Sequence, residues 1–211
     1  MLSIRNTLIL SAFIAALLLT AGCTQQAPAN TCDAGGSGVC PLPSVSMQPA
    51  TTVLPLESWE RVRLETSMGE ITLALNPDMP ITAGNFKSLV EKGYYDGVIF
   101  HRVMDRFMIQ GGDPTGTGRG GPGYIIPDEF LTTNRNDRGT LAMANSGPDT
   151  GGSQFFINLV DNNYLDNKHP VFGKVVDGMD VVDAIAKVQT SGKAGNYRPL
   201  QNVTIIHAVM I

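Results

Sequence analysis

Three short stretches concentrate the side chains able to do chemistry. Phe100-His101-Arg102-Val103 leads into Phe107-Met108-Ile109-Gln110-Gly111-Gly112-Asp113. Met143-Ala144-Asn145-Ser146-Gly147-Pro148 runs on to Gly152-Ser153-Gln154-Phe155-Phe156. Tyr164-Leu165-Asp166-Asn167-Lys168-His169 is followed by Val171-Phe172-Gly173-Lys174-Val175. Arg102 is always charged and holds its donors in a rigid fork, which a lysine does not reproduce. Such a group suits preorganised electrostatic stabilisation. Taken singly, an arginine of this kind is a surface ion-pair member, and Phe107, Met108, Phe156 and Leu165 are core side chains.

Other chemistries fail on spacing. His101, His169 and His207 stand 38 positions or more apart, which is no metal-ligand pattern. Ser153 lacks the Gly-x-Ser-x-Gly elbow of hydrolases. Gly116-Thr117-Gly118-Arg119-Gly120-Gly121 looks like a phosphate loop, yet Pro122 and strand-like sequence follow it where a helix is required. No metal and no cofactor is expected. The 211 residues are 43% hydrophobic and 16% charged, with a net charge of -4. Without a basic stripe, no nucleic-acid partner is expected.

The first 22 residues read as a signal peptide. Arg5 precedes an apolar stretch over 7–20, shorter than the roughly 20 residues a membrane span needs. Leu19-Thr20-Ala21-Gly22-Cys23 resembles the lipobox of bacterial lipoproteins, with Thr20 where leucine is usual. The resemblance implies an acylated Cys23 as the mature N-terminus. It also implies a lipid anchor in a membrane of the bacterial cell envelope, facing the periplasm or the exterior. Two or more acyl chains hold such an anchor stably. Residues 23–57, rich in Ala, Pro, Ser, Thr and Gly and almost uncharged, read as a flexible tether. Within it Cys32 and Cys40 are either a disulfide pair or two free thiols.

Residues 58–211 are sized for one domain, since a chain of about 150 residues buries roughly 68–70% of its unfolded surface. Val62 and Leu64 alternate with Arg61, Arg63 and Glu65, and Ile71, Leu73 and Leu75 with Thr72 and Ala74. These are two antiparallel strands joined by a turn at Ser67-Met68-Gly69. Pro80 opens a helix with Ala83, Phe86, Leu89 and Val90 on one face and Gly93 as its cap. Strand-like runs follow at 98–103, 107–110, 140–144, 155–159 and 171–176. A second helix carries Val181, Val182, Ile185 and Val188, and 203–211 is a last strand. Many short strands with two helices favour a closed barrel or a sandwich, closure removing unpaired edges.

At the three stretches quoted, and along 58–211 including the 115–124 loop and Asp128-Glu129-Phe130, the sequence resembles the cyclophilins, the cyclosporin-binding prolyl isomerases. The resemblance implies a mainly β fold, a closed eight-stranded antiparallel β-barrel capped by two α-helices. It implies a peptidyl-prolyl cis-trans isomerase acting on proline-containing polypeptides, here assisting exported proteins to fold. A monomer is expected.

Rotation about a peptide bond faces a barrier of about 18–20 kcal/mol, because nitrogen shares its lone pair with the carbonyl. Before proline the two isomers are close in energy, so the barrier is the obstacle. The resemblance gives Arg102 the task of engaging the substrate proline, with Gln110 steadying it. It places Phe107, Met108, Phe156 and Leu165 around the proline ring, and Ala144 and Asn145 along the extended substrate. Gln154 lines the same groove and His169 forms a pocket wall without acting as a base. Tyr164 departs from the family: cyclosporin-sensitive members carry tryptophan there, so catalysis is expected to survive and drug binding to be weakened. The competing reading is a non-catalytic proline-binding or chaperone-like envelope module. It needs the pocket but not Arg102.

Overall fold

The computed structural model describes residues 55–211. The readings of 1–22 as a signal peptide, of Cys23, Cys32 and Cys40, and of most of the tether lie outside the described residues. The chain forms β1 (Arg61–Thr66), β2 (Gly69–Leu75), α1 (Thr82–Glu91), β3 (Arg102–Met104) and β4 (Met108–Gly111). It continues as β5 (Thr140–Met143), β6 (Phe155–Asn158), β7 (Val171–Asp177), α2 (Met179–Ala186) and β8 (Ile205–Met210). The strands make one antiparallel sheet in the order β3-β4-β6-β5-β7-β2-β1-β8.

Alternation along β1 buries Val62, Leu64 and Thr66 and leaves Arg61, Arg63 and Glu65 outward, as a strand with one covered face requires. The two helices cover that face. Phe86 of α1 is fully buried, with ring centroids 4.9 Å from Tyr95, 5.3 Å from Phe155 and 5.3 Å from Phe172. Both ends of α1 are tied down. The Glu129 carboxylate accepts the N–H groups of Ile81 at 3.1 Å and Thr82 at 3.0 Å, an anion at a helix N-terminus. At the other end Gly93, at φ +65°, donates to the Val90 carbonyl and Tyr94 donates to that of Leu89, a Schellman cap.

Two expectations are corrected. The closed barrel is an open half-barrel, because the end strands β3 and β8 share no ladder. Of the 98–103 run, 98–100 supply only a short patch beside β8 and 102–103 begin β3. Ile99 bridges Thr204, Gly97 and Phe100 donate to the carbonyls of Ile205 and Val203, and Ile205 donates to that of Val98. Gly97, the first residue of this patch, turns the chain into it at φ +79°. The second helix ends at Ala186, short of Val188; it buries Val182, Ile185 and Ala186, and Val181 and Val188 pack partly buried against the same core. Among the described residues no helix is long and apolar enough to cross a membrane.

Candidate functional site

The β3–β4 hairpin sorts its side chains by strand period. Arg102 faces Gln110, Val103 faces Ile109 and Met104 faces Met108. Val103 and Ile109 enter the core, so Arg102, Met104, Met108 and Gln110 share the opposite face. On the neighbouring strand Phe156 stands opposite both Gln110 and Ala142. Met108, Ala142 and Phe156 are buried in an apolar cluster separate from the main core, and Met104, Phe107, Ala144, Leu165 and Val171 pack against it.

Arg102 lies along the edge of that cluster. Its Nη1 donates to Gln110 Oε1 at 3.4 Å, its Nη2 reaches Met104 Sδ at 3.2 Å, and its guanidinium carbon sits 5.9 Å from the centre of the Phe107 ring. The Nε is buried without a partner. Gln110 Nε2 donates to Gln154 Oε1 at 2.9 Å, and Gln154 Nε2 donates to the Gly120 carbonyl at 2.8 Å. One hydrogen-bonded run therefore joins the arginine to the glycine-rich loop.

The third stretch closes the other side of the cluster. His169 donates from Nδ1 to the Met143 carbonyl at 3.1 Å, which fixes its tautomer, and its ring meets Phe156 edge-on at 5.4 Å. Tyr164 is 62% exposed and stacks on Phe107 at 6.4 Å and 17°. Asn145 Nδ2 donates to the Lys168 carbonyl at 2.8 Å. Three asparagines hold this segment in place. Asn162 Nδ2 donates to the Phe107 carbonyl at 2.9 Å and to Asn158 Oδ1 at 2.8 Å, Asn158 Nδ2 to Asn136 Oδ1 at 3.2 Å, and the Asn136 N–H to Asp166 at 2.7 Å. Asn136, Asn158 and Asn162 are buried, so the network is shielded from water.

Beside the apolar cluster runs a polar groove of about 420 Å³, lined among others by His101, Arg102, Gln110, Arg119, Asn145 and Gln154. His101 is 4% exposed with neither ring nitrogen bonded. Burial holds its imidazole below the ordinary value, Arg102 and Arg198 add to this, and Asp113 opposes them. The Ser153 hydroxyl donates to the Gly112 carbonyl at 2.7 Å, a structural bond. Among the described residues no cluster of His, Cys, Asp and Glu could hold a metal.

Arg102, Gln110 and Gln154 thus form one polar run, and Phe107, Met108, Phe156, Leu165 and Ala144 one apolar slot. Asn145, Tyr164 and His169 lie at its rim. Sequence reasoning missed Met104, Ala142 and Val171 on the slot and Gly120 at the end of the run. Period 2 was the available signal for two of them, since Met104 follows Arg102 and Ala142 precedes Ala144 by two positions.

Fold and outer face together define a cyclophilin-like half-barrel. The family model of the cyclophilin type peptidyl-prolyl cis-trans isomerases matches residues 61–210. Peptidyl-prolyl cis-trans isomerase CYP71 of Arabidopsis thaliana is 49% identical over 166 residues, 76% of this chain. That match covers 25% of the plant protein, so the chain spans about a quarter of its length. Peptidyl-prolyl cis-trans isomerase-like 1 of Homo sapiens is 47% identical over 162 residues, 74% of this chain and 96% of the human protein. A crystal structure of a cyclophilin type isomerase from Cryptosporidium parvum superposes with a TM-score of 0.69 at 34% identity, over 72% of this chain and 98% of that one. The same protein in the presence of the dipeptide Ala-Pro gives a TM-score of 0.67. The chain belongs to the cyclophilin-type peptidyl-prolyl cis-trans isomerases, a family of enzymes.

Proposed function

We propose that this chain accelerates cis–trans rotation about Xaa-Pro bonds in polypeptides. The carrying observation is the Arg102 fork, held by Gln110 at the edge of an apolar slot. The proline ring sits against Phe107, Met108, Phe156 and Leu165, whose flat and flexible surfaces accept it without polar demands. The acyl side of the bond turns. As it twists, the imide nitrogen regains its lone pair, and Arg102 supplies donors to that site. Those bonds strengthen only as resonance is lost, so they lower the barrier and not merely the energy of binding. Each 1.36 kcal/mol removed is about tenfold in rate.

Asn145 lies past the last paired residue of β5 and offers its backbone to an extended client, beside Ala144, whose N–H donates to the Gln154 carbonyl at 3.0 Å. The polar groove takes the chain beside the proline. No proton moves, so His169 acts as a wall. A non-catalytic proline binder would need the slot alone; the bonded Arg102–Gln110–Gln154 run favours the enzyme. Exchange spectroscopy on a short Xaa-Pro peptide tests the reading. Acceleration at substoichiometric protein is expected, and an unchanged exchange rate would overturn it.

Location belongs to the same reading and rests on sequence. Residues 1–22 are removed on export, Cys23 is acylated, 23–57 tether the monomeric domain to a membrane of a bacterial envelope, and exported proteins are its clients. An unmodified Cys23 thiol in the mass spectrum of the mature protein would contradict the anchor.

A further inference from the structure

The Asp113 side chain lies at the end of β4, fully buried, with no basic side chain paired to it. Its carboxylate is satisfied by the loop that follows. Oδ1 accepts the Thr115 N–H at 2.7 Å and the Thr115 hydroxyl at 2.8 Å. Oδ2 accepts the Gly118 N–H at 2.6 Å and the Thr117 hydroxyl at 3.4 Å. Gly120 packs directly against the same carboxylate. Gly120 must be glycine for this approach, since a Cβ there would overlap Asp113 Oδ1.

The other side of Gly120 faces the site. Its carbonyl accepts from Gln154, Gln154 accepts from Gln110, and Gln110 accepts from Arg102. An amide side chain can point either way, so something must choose. The Gly120 carbonyl accepts only, which obliges Gln154 to aim its NH2 at the loop and its oxygen at Gln110. Gln110 must then aim its own NH2 at Gln154 and its oxygen at Arg102. The orientation of every amide in the run is set by where the Gly120 carbonyl sits, and Asp113 sets that.

We propose that Asp113 is a positioning residue for Arg102, acting through Gly120, Gln154 and Gln110. This rests on the isomerase reading above. A neutral amide at position 113 would turn an NH2 toward at least one of the N–H donors it now accepts from. The loop would back away, and the Gly120 carbonyl with it. The slot of Phe107, Met108, Phe156 and Leu165 would be untouched.

The test compares wild type, Asp113→Asn, Gln154→Ala and the double variant in the full chain. Peptide exchange at saturating substrate is the rate, peptide titration the affinity, and the side-chain amide and Arg102 Nε–H resonances report the run. Asp113→Asn is expected to lower the saturated rate about tenfold, leave affinity within twofold, and shift the Gln110, Gln154 and Arg102 side-chain signals. In the Gln154→Ala background the same substitution should cost less than twofold, since neighbours in one network do not add. Gly120→Ala, which displaces the carboxylate without altering it, should reproduce the rate loss and serves if Asp113→Asn does not fold. Full additivity with Gln154→Ala, or unshifted side-chain signals in a folded Asp113→Asn protein, would overturn the positioning role. An inactive wild type would instead sink the isomerase reading, while the resonances would still show whether the run depends on Asp113.

Discussion

Arg102 and Gln110 face each other across the β3–β4 ladder, and their side chains meet at 3.4 Å on the face turned away from the core. The arginine is thus not an ordinary surface cation. Its donors meet a neutral amide and a thioether rather than a carboxylate, so its charge is not neutralised by a fixed partner. That leaves it able to respond to a substrate nitrogen.

Removing the amide should loosen the arginine without removing it. Gln110→Leu is expected to lower the catalysed rate about 10- to 100-fold, matching the roughly 1.5–3 kcal/mol that a hydrogen bond to a charged group contributes. Peptide exchange at saturating substrate measures this. A rate equal to wild type would show that Arg102 needs no support.

The slot should respond differently. Phe107 is only half-buried and belongs to the small outer cluster, so Phe107→Ala is expected to weaken peptide affinity several-fold with little loss of stability. Phe86→Ala, in the main core, is expected to cost about 3–5 kcal/mol of stability. Denaturant midpoints and peptide titration separate the two.

Tyr164 stacks on Phe107 and leaves most of its ring in water. Tyr164→Trp adds area and an indole donor at the rim, so cyclosporin should bind more tightly to the variant than to wild type. Calorimetric titration checks it. Equal affinities would remove Tyr164 from the drug contact.

Acid should act through Asp113. Burial works to raise its pKa, but the backbone donors of Gly120, Thr115 and Gly118 and the Thr115 hydroxyl outweigh it, and the carboxyl is held well below the usual range. A depressed folded pKa gives stability that is present above the unfolded value, about 3.9, and is lost as pH falls toward the folded one. Wild type should therefore lose stability on acidification below about pH 4, and Asp113→Asn should show a flatter profile. Urea midpoints across that range decide; parallel profiles would contradict the assignment.

Much of this was legible in the residues. The alternation at 61–75 shows β1 and β2 directly, because a half-covered antiparallel pair leaves one apolar face. Phe86, Leu89 and Val90 mark the buried face of α1, and Gly93 its end. The misread places are where tertiary contacts override local pattern. The 98–103 run has strand-like composition, yet Gly97 and its pairing with 203–205 leave only a bridge before β3. In the site, Arg102 and Gln110 eight apart fit a hairpin, and resemblance supplied the slot. The Asp113 hub was hidden because its partners are backbone N–H groups and threonine hydroxyls of its own loop, which no side-chain motif announces.

The most direct measurement is peptide exchange with Arg102→Ala and Arg102→Lys beside wild type, each with peptide affinity determined separately. Arg102→Ala is expected to lose about 100-fold or more in rate, the scale of removing a preorganised donor group. Lysine, which lacks the fork, should rescue incompletely, and affinity should change far less than rate. A folded Arg102→Ala protein that turns over the peptide at the wild-type rate would overturn the role given to Arg102.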